Sequence, residues 1–290
     1  MKPNKTAVLT MDIEDWYHTE YLKGTSCDRS YTMLDGLDVF AGILEEHNIR
    51  GTFFVLGELV ASIKDQLRDL QSRGHEIASH GWQHDRPIAV GTNAFAEELG
   101  RCKKTLEDAL GSPILGYRAA CFALDRDHLQ TIMDVGFGYD SSRIRFAENP
   151  LYGSLNLDDF TQLSRNIARK DDFFEFEIST WPMMGRDIPV AGGGYLRIFP
   201  WLLMKSLIRP YLRSNDLYVL YVHPMDLSRK TNAPLPQEIS RLQRLRFNTG
   251  RQTTAGKIRK LIALLEESGY RFRSFASLRK ELMAESPDAV

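Results

Sequence analysis

The segment Ala7-Val8-Leu9-Thr10-Met11-Asp12-Ile13-Glu14-Asp15 decides the fold of this chain. Its first five residues form a short apolar run that is typical of a buried strand, and three carboxylates follow at its C-terminal end. Similar runs occur at 52–56 and 75–79, and helix-like apolar stripes separate them. Strands that alternate with helices predict a parallel α/β architecture, whose chemistry lies after the strand ends. The sequence shows no composition shift, low-complexity tract or internal repeat that would indicate a domain boundary. We therefore expect one domain over residues 1–290.

Apolar spacing places the remaining elements. It predicts helices near 37–44, 59–70, 95–110, 129–133 and 257–267, and later strands at 173–178 and 217–222. The stretch 149–170 is less regular, and so is Gly192-Gly193-Gly194-Tyr195. We expect the first stretch to be a long loop or insertion, and the glycine run is a second irregular point.

Composition excludes several classes of protein. The formal net charge is -1, so no overall basic field points to nucleic acid or to an anionic membrane. Cys27, Cys102 and Cys121 are too few and too widely spaced for a disulfide framework or a thiolate zinc site, and they fit a reducing compartment. There is no signal-like N-terminal stretch, and no run approaches the ~18 apolar residues of a membrane span. We therefore expect a cytoplasmic protein without a transmembrane segment, whose oligomeric state the sequence leaves open.

Two histidines four residues apart, His80 and His84, follow the strand-like run at 75–79. In a helix their imidazoles would point the same way and reach one cation. A carboxylate from another strand end would complete a three-ligand shell with open positions, as a catalytic metal site requires. Alternation along an extended strand end favours Glu14 as that ligand, with Asp15 as its competitor. Such ligands suit zinc, and cobalt, nickel or iron would also fit.

Five short motifs occur in a fixed order, at 10–15, 80–84, 116–122, 138–142 and 220–224. Together they resemble the polysaccharide deacetylases with a NodB-type domain, the metal-dependent carbohydrate esterase family 4. The wording Asp-Ile-Glu-Asp-Trp-Tyr-His, Gly-Gly-Gly-Tyr-Leu-Arg and Val-His-Pro-Met-Asp is similar to a subgroup associated with exopolysaccharide and O-antigen biosynthesis. The resemblance implies a distorted (β/α)7-type barrel. It also implies a hydrolase that removes N-acetyl groups from an amino sugar of a bacterial surface polysaccharide or its precursor.

The resemblance also implies a role for individual residues. Asp12 would be the general base and Arg118 would orient it, while a backbone N–H at Cys121 would stabilise the oxyanion. His223 would be the general acid, and Asp140 would orient or charge-support it.

The sequence departs from the family pattern at two places. The first motif reads Asp-x-Glu-Asp rather than a paired Asp-Asp, and Ala120 stands where the family usually has proline. The first departure leaves the metal carboxylate open between Glu14 and Asp15, and the second softens the turn that presents Cys121.

Aromatic residues near the motifs are candidates for stacking on sugar rings, namely Trp16, Trp181 and Tyr195. The expected partner is an N-acetylated sugar or polysaccharide precursor, met in the cytoplasm as a nucleotide-linked or lipid-linked sugar or a growing chain. Two other functions remain open. One is another metal-dependent amidohydrolase, such as a deformylase or an enzyme for a small amide. The other is an inactive carbohydrate-binding relative, which would not need a base, an acid and metal ligands together.

Overall fold

In the computed structural model, which describes residues 5–145, 153–183, 186–230 and 233–285, strands and helices alternate along the chain. The strands are β1 (Thr6–Ile13), β2 (Thr52–Val55), β3 (Glu76–Ser79), β4 (Gly116–Tyr117), β5 (Tyr139–Asp140), β6 (Thr161–Ser164), β7 (Ile167–Lys170), β8 (Phe173–Phe176), β9 (Thr180–Met183), β10 (Arg186–Pro189), β11 (Leu217–Val222) and β12 (Arg271–Phe272). The α-helices are α1 (Asp35–Glu46), α2 (Lys64–Ser72), α3 (Thr92–Leu110), α4 (Arg126–Asp134), α5 (Gly193–Ile198), α6 (Trp201–Ser214), α7 (Pro224–Leu227), α8 (Arg241–Asn248), α9 (Arg251–Glu267) and α10 (Phe275–Glu285).

Seven parallel strands form the centre of the fold, in the spatial order β11, β1, β2, β3, β4, β5, β8. The antiparallel strands β7 and β6 extend the β8 edge, and β12 pairs with the start of β1. Strands β9 and β10 form a separate hairpin. This curled, mostly parallel sheet within one α/β domain confirms the predicted distorted (β/α)7-type barrel.

Strand β1 is buried along its whole length, as expected for a strand that is covered on both faces of a parallel sheet. Its alternate residues Leu9 and Met11 belong to the core between the sheet and the outer helices. Val8 faces the other way, into the barrel interior, where it packs in the cluster that contains Phe54 and Phe176. Because side chains alternate along a strand, Asp12 is on the interior side with Val8.

Helix α10 closes the barrel at the N-terminal ends of the strands. The Phe275 ring stacks on Phe176 with centroids 4.9 Å apart, and the Phe275 N–H donates to Thr52 Oγ1 at 3.0 Å. Thr52 is the first residue of β2. The opposite end of the barrel, at the C-terminal ends of the strands, is therefore the end that is open for a site.

The structure corrects the expected loop at 149–170 and shows what the irregular glycine run forms. The stretch 149–170 contains the hairpin of β6 and β7, although residues 149–152 lie outside the described residues. The glycine run is the start of α5, for which Gly192 is the N-cap. Helices α6, α8 and α10 and the β9–β10 hairpin have no counterpart in the sequence prediction. Among the described residues, no helix is long and apolar enough to cross a membrane.

Candidate active site

The predicted motif residues converge at the C-terminal edge of the sheet. Asp12 and Glu14 come from the end of β1, while His80, Arg118 and His223 directly follow β3, β4 and β11. A cleft of about 480 Å³ opens there. Its lining includes seven of the predicted residues, namely Asp12, Glu14, His80, His84, Cys121, Tyr195 and His223. Parallel strands place their C-terminal ends at one edge, which explains why distant motifs meet.

Glu14, His80 and His84 form a group that could hold a metal ion, with donor atoms that all lie within 4.8 Å of one another. His84 Nε2 lies 2.8 Å from Glu14 Oε2. His80 Nδ1 lies 2.9 Å from the Arg118 carbonyl oxygen, and because a carbonyl can only accept, this nitrogen carries the proton. The lone pair of His80 is thereby left on Nε2, the nitrogen that can bind a cation.

The charge states of this group also suit a cation. Burial lowers the pKa of His80 to about 4, so its imidazole is neutral near pH 7. Burial alone would raise the pKa of Glu14, but the neighbouring His84 and His223 outweigh burial and lower it far below its ordinary value. A neutral imidazole and an ionised carboxylate are the forms that bind metals.

The loop that carries the two histidines is not helical, so the helical spacing argument was wrong. Residues 80–84 form an irregular turn in which Gly81 has φ 81° and His84 has φ 65°. A positive φ is uncommon for a residue with a side chain. Backbone hydrogen bonds hold the turn, from Gly57 N–H to the Gly81 carbonyl at 2.9 Å and from Glu58 N–H to the Trp82 carbonyl at 3.0 Å. The turn brings the His80 and His84 rings to 5.3 Å between centroids.

The residues present fit a divalent cation. Glu14 Oε2 and His84 Nδ1 are buried and have no hydrogen-bond partner, and Oε2 meets His84 Nε2 without hydrogen-bond geometry. Two imidazoles and one carboxylate are a donor set for zinc, and also for cobalt, nickel or iron. A second group of Glu20, His84 and Cys121 shares His84.

Asp15, the competing carboxylate, does not join this group. Its Oδ1 accepts hydrogen bonds from the N–H groups of Trp16 and Met33, both at 2.8 Å, and it caps the short turn Trp16–His18. His18 closes the turn, because its Nδ1 accepts from the Asp15 N–H at 2.9 Å. Asp15 therefore shapes the chain next to the site, and Glu14 is the carboxylate that faces the histidines.

Arg118 lies against Asp12 in the barrel interior. Its Nη1 donates to Asp12 Oδ1 and to Thr10 Oγ1, both at 2.7 Å, and its Nε donates to the Ser141 carbonyl at 3.0 Å. Both side chains are almost fully buried, and the guanidinium lies 4.1 Å from the centroid of the Phe54 ring. An opposite charge at this distance favours an ionised carboxylate. Arg118 also fixes one Asp12 oxygen and so orients the other.

His223 pairs with Asp226, a residue that the sequence analysis did not single out. His223 Nδ1 donates to Asp226 Oδ2 at 3.1 Å, and His223 Nε2 lies 3.4 Å from Glu14 Oε1. Buried Arg197 lies behind Asp226, with Nε 2.9 Å from Oδ1. Burial alone would lower the pKa of His223, but Glu14 and Asp226 outweigh it and raise it to about 9. His223 is therefore a protonated imidazole near pH 7, and Nε2 is its free donor.

Asp140 does not contact His223, which corrects the predicted pairing. Its carboxylate accepts from the Ser142 hydroxyl at 2.7 Å and from the Ser142 N–H at 2.9 Å, and it lies beside Glu175 inside the barrel. Burial raises the pKa of both carboxyl groups, that of Glu175 well above its ordinary value. The Ser142 hydroxyl also accepts a hydrogen bond from the Ala119 N–H at 2.8 Å. Through Ser142, Asp140 therefore supports the turn that follows Arg118.

That turn, Ala120–Phe122, keeps a strained shape without the usual proline. Cys121 has φ 55° and Phe122 has φ 57°, both in the left-handed region. Cys121 lines the cleft, and its Sγ lies 3.7 Å from Glu20 Oε2. Burial raises the pKa of the Cys121 thiol to about 12, so the thiol is protonated near pH 7.

One of the three predicted aromatic contacts lies at the cleft. Tyr195 lines it and stacks on Phe199 with centroids 6.1 Å apart. Trp16 is completely buried, and its Nε1 donates to the Tyr31 carbonyl at 2.8 Å, so it belongs to the core and cannot meet a sugar. Trp181 is outside the cleft lining and packs edge-on against Tyr211. The sequence analysis did not name three other aromatic residues of the cleft: Tyr21, and Phe122 and Tyr221, which lie within the motifs at 116–122 and 220–224.

Comparison with known proteins agrees with the site. Residues 24–139 match the family model described as polysaccharide deacetylase, and residues 141–279 match one described as a domain of unknown function (DUF3473). A peptidoglycan deacetylase of Helicobacter pylori is 22% identical over 136 residues, which are 47% of this chain and 46% of that protein. The alignment thus spans less than half of that relative.

Solved structures show the same fold over nearly the whole chain. The crystal structure of a candidate polysaccharide deacetylase from Mycobacterium smegmatis aligns with a TM-score of 0.65 at 20% identity, covering 99% of this chain and 93% of that one. A CE4 family pseudoenzyme from Bacillus anthracis aligns with a TM-score of 0.55 at 12% identity, covering 96% and 66%.

Residues 24–139 therefore match the polysaccharide deacetylase family, in agreement with the resemblance that the motifs indicated. The two matched segments meet at β5, and β5 pairs with β8, so both segments contribute strands to one sheet.

Proposed function

We propose that the protein is a metal-dependent hydrolase that removes N-acetyl groups from an amino sugar of a bacterial surface polysaccharide or its precursor. The observation that carries the proposal is the arrangement around one cleft: a Glu14–His80–His84 donor group, a buried Asp12–Arg118 pair and a His223–Asp226 pair. Amide hydrolysis needs a base for water, a place for the carbonyl oxygen and an acid for the leaving amine. This cleft offers groups for each.

Glu14, His80 and His84 would hold the divalent cation, for which zinc is the leading candidate. Such a cation supplies Lewis acidity, which polarises a carbonyl and makes water more acidic. Its binding would also satisfy Glu14 Oε2, a buried atom that lacks a hydrogen-bond partner.

Asp12 would accept the proton of the attacking water. Arg118 holds one of its oxygens at 2.7 Å, so the other oxygen is available to the cleft that Asp12 lines. His223 would give a proton to the amine as the C–N bond breaks, because its Nδ1 is held by Asp226 and its Nε2 faces Glu14 and the cleft. The Cys121 backbone would contribute to the oxyanion site from the strained turn.

The substrate and its setting are further parts of this proposal. The motif wording of the exopolysaccharide and O-antigen subgroup favours a lipid-linked or nucleotide-linked amino sugar, or a growing chain. Three free cysteines, at 27, 102 and 121, agree with a cytoplasmic setting. Tyr195 at the cleft would stack on the sugar.

An inactive carbohydrate-binding role is the second candidate, because a structural neighbour is described as a pseudoenzyme. The complete set of Asp12, His80, His84 and His223 in one cleft argues against it here. Another metal-dependent amidohydrolase, such as a deformylase, would use the same groups and differ only in its substrate.

One assay separates these candidates. The purified chain is freed of metal with a chelator, reloaded with zinc, cobalt or nickel, and incubated with N-acetylated and N-formylated amino sugars while acetate and formate are measured. We expect metal-dependent acetate release that Asp12→Asn abolishes without loss of bound metal. Formate release alone would indicate a deformylase, and metal binding without any product would indicate a binding protein.

A further inference from the structure

Four leucines stand out as the most exposed large apolar side chains among the described residues. Leu202 is 79% exposed and Leu203 is 44% exposed at the start of α6, while Leu242 and Leu245 on α8 are 74% and 64% exposed. A single exposed leucine is ordinary, but a concentration of them marks an interaction surface. We call this surface, formed by α8 and the start of α6, the α6–α8 face.

The residues before α6 and the end of α8 lie beside the mouth of the cleft. Arg197 Nη1, on α5, donates to three backbone carbonyls at the end of α8, at 2.8 Å each: those of Arg246, Phe247 and Thr249. Helix α6 begins three residues after α5 ends. Phe199, between α5 and α6, and Arg246 on α8 both line the cleft. The leucines therefore flank the cleft rather than lying elsewhere on the molecule.

Charge is distributed unevenly around this face. Helix α6 carries Lys205, Arg209 and Arg213, helix α8 carries three arginines, and neither helix contains an aspartate or glutamate. The net charge of -1 for the whole chain averages over this segregation. Helix α8 carries Arg241, Arg244 and Arg246 together with its two exposed leucines.

We propose that the α6–α8 face docks on an anionic lipid bilayer. Short helices with protruding leucines and neighbouring arginines are suited to the membrane interface, where the apolar side chains enter the acyl boundary and the cations meet lipid phosphates. No pocket of matched shape is needed for either contact. Docking would turn the cleft mouth towards the bilayer, where a lipid-linked amino sugar would be presented. This last consequence rests on the proposed function, whereas the docking itself does not.

The test is co-sedimentation of the full chain with vesicles of phosphatidylcholine, alone or mixed with phosphatidylglycerol. We expect binding to the anionic vesicles that weakens as salt is added. Leu242→Ser/Leu245→Ser should reduce the partition coefficient about tenfold or more, because two leucines no longer enter the bilayer. Arg241→Gln should reduce it about fivefold, the usual contribution of one interfacial cation.

Two matched controls remove side chains that lie outside α6 and α8. Leu163→Ser removes a leucine that is 41% exposed on β6, and Lys280→Gln removes a cation on α10, at the closed end of the barrel. Both should bind vesicles as the parent does. Equal binding of parent and leucine variant, or no binding to anionic vesicles, would overturn the proposal. So would self-association in light scattering that the leucine variant abolishes while vesicles bind neither protein. Acetate release from a soluble substrate should be unchanged in the leucine variant, so this outcome and the deacetylase function are judged separately.

Discussion

Replacing Asp226 by asparagine tests the part of the site that the structure adds to the sequence. Asp226 is almost fully buried, accepts from His223 Nδ1 at 3.1 Å and lies 2.9 Å from Arg197 Nε. Asparagine keeps the size of the side chain and removes its charge. The variant therefore leaves His223 without the carboxylate that orients and charges it.

The structure sets the magnitude. The pKa of His223 is raised from 6.5 to about 9 against the effect of burial, and Glu14 and Asp226 are the main carboxylates responsible. That difference is about 3 kcal/mol in favour of the imidazolium, at about 1.4 kcal/mol per pKa unit. Loss of one of the two carboxylates should remove on the order of 1–2 kcal/mol of it, and misorientation of the ring adds to the loss. We expect kcat on an amide to fall about 100-fold.

The sign of the pH effect follows from the same shift. A raised pKa keeps His223 protonated through neutral pH, so the acid form is lost only as pH rises towards about 9. In Asp226→Asn the alkaline limb of the rate profile should therefore move to lower pH. The assay compares pH–rate profiles for an N-acetyl sugar and for an activated ester, whose leaving group needs no proton. The ester should lose much less rate than the amide.

Asp140→Asn is the matched control, since Asp140 is the residue that the sequence offered as the partner of His223. Its carboxyl group lies with Ser142 and Glu175, away from His223. We expect Asp140→Asn to leave the alkaline limb and the amide-to-ester ratio unchanged. If Asp140→Asn moves the limb and Asp226→Asn does not, the reasoning about His223 is refuted.

Three further predictions test other residues. Glu14→Gln should lose stoichiometric metal by mass spectrometry, whereas Asp15→Asn should keep it and only weaken the cap by about 1 kcal/mol; metal lost only in the Asp15 variant would transfer the ligand role to Asp15. His75 is buried, and burial lowers its pKa to about 4. The unfolded chain therefore binds a proton at higher pH than the folded one, and the free energy of unfolding should fall by about 2–3 kcal/mol as pH drops from 6.5 to 4. Urea titrations of His75→Asn should show a smaller dependence on pH. Tyr195→Ala should raise KM for the sugar several-fold while Trp181→Ala leaves it unchanged, and equal effects would remove the distinction between cleft and core.

The strand-end residues were the predictable part of the site. Asp12, Glu14, His80, Arg118 and His223 each follow or end an apolar run, and parallel strands bring such ends together whatever the details of the loops. The fold itself follows from the same pattern, because continuous apolar runs separated by helical stripes have few alternatives to a parallel sheet.

The shape of loops was not predictable from spacing. His80 and His84 are four residues apart, which suggested a helix, but Gly81 and the positive φ of His84 fold the segment into a turn. Trp16 was a candidate for stacking on a sugar because it adjoins the first motif. In the structure, the cap at Asp15 directs the Trp16 side chain into the core. A residue that is close to a motif in the sequence can face in any direction once the regular strand has ended.

Asp226 carried a local signal that was passed over. His223-Pro224-Met225-Asp226 has proline at the first helical position and an acidic residue at the third, which is typical of a helix start. In the structure the same aspartate accepts from the His223 backbone N–H at 3.1 Å and from its ring. The contribution of Arg197 could not be inferred, because it lies 29 positions before Asp226, with the whole of α6 between them.

The central claim is that Glu14, His80 and His84 bind one catalytic divalent cation. The most direct measurement is a crystal structure of the metal-loaded protein with diffraction data collected at the absorption edge of that metal. We expect one anomalous peak about 2.0–2.2 Å from a Glu14 oxygen and from one nitrogen each of His80 and His84. A peak held instead by Glu20, His84 and Cys121, or no peak in a protein that releases acetate, would contradict the account.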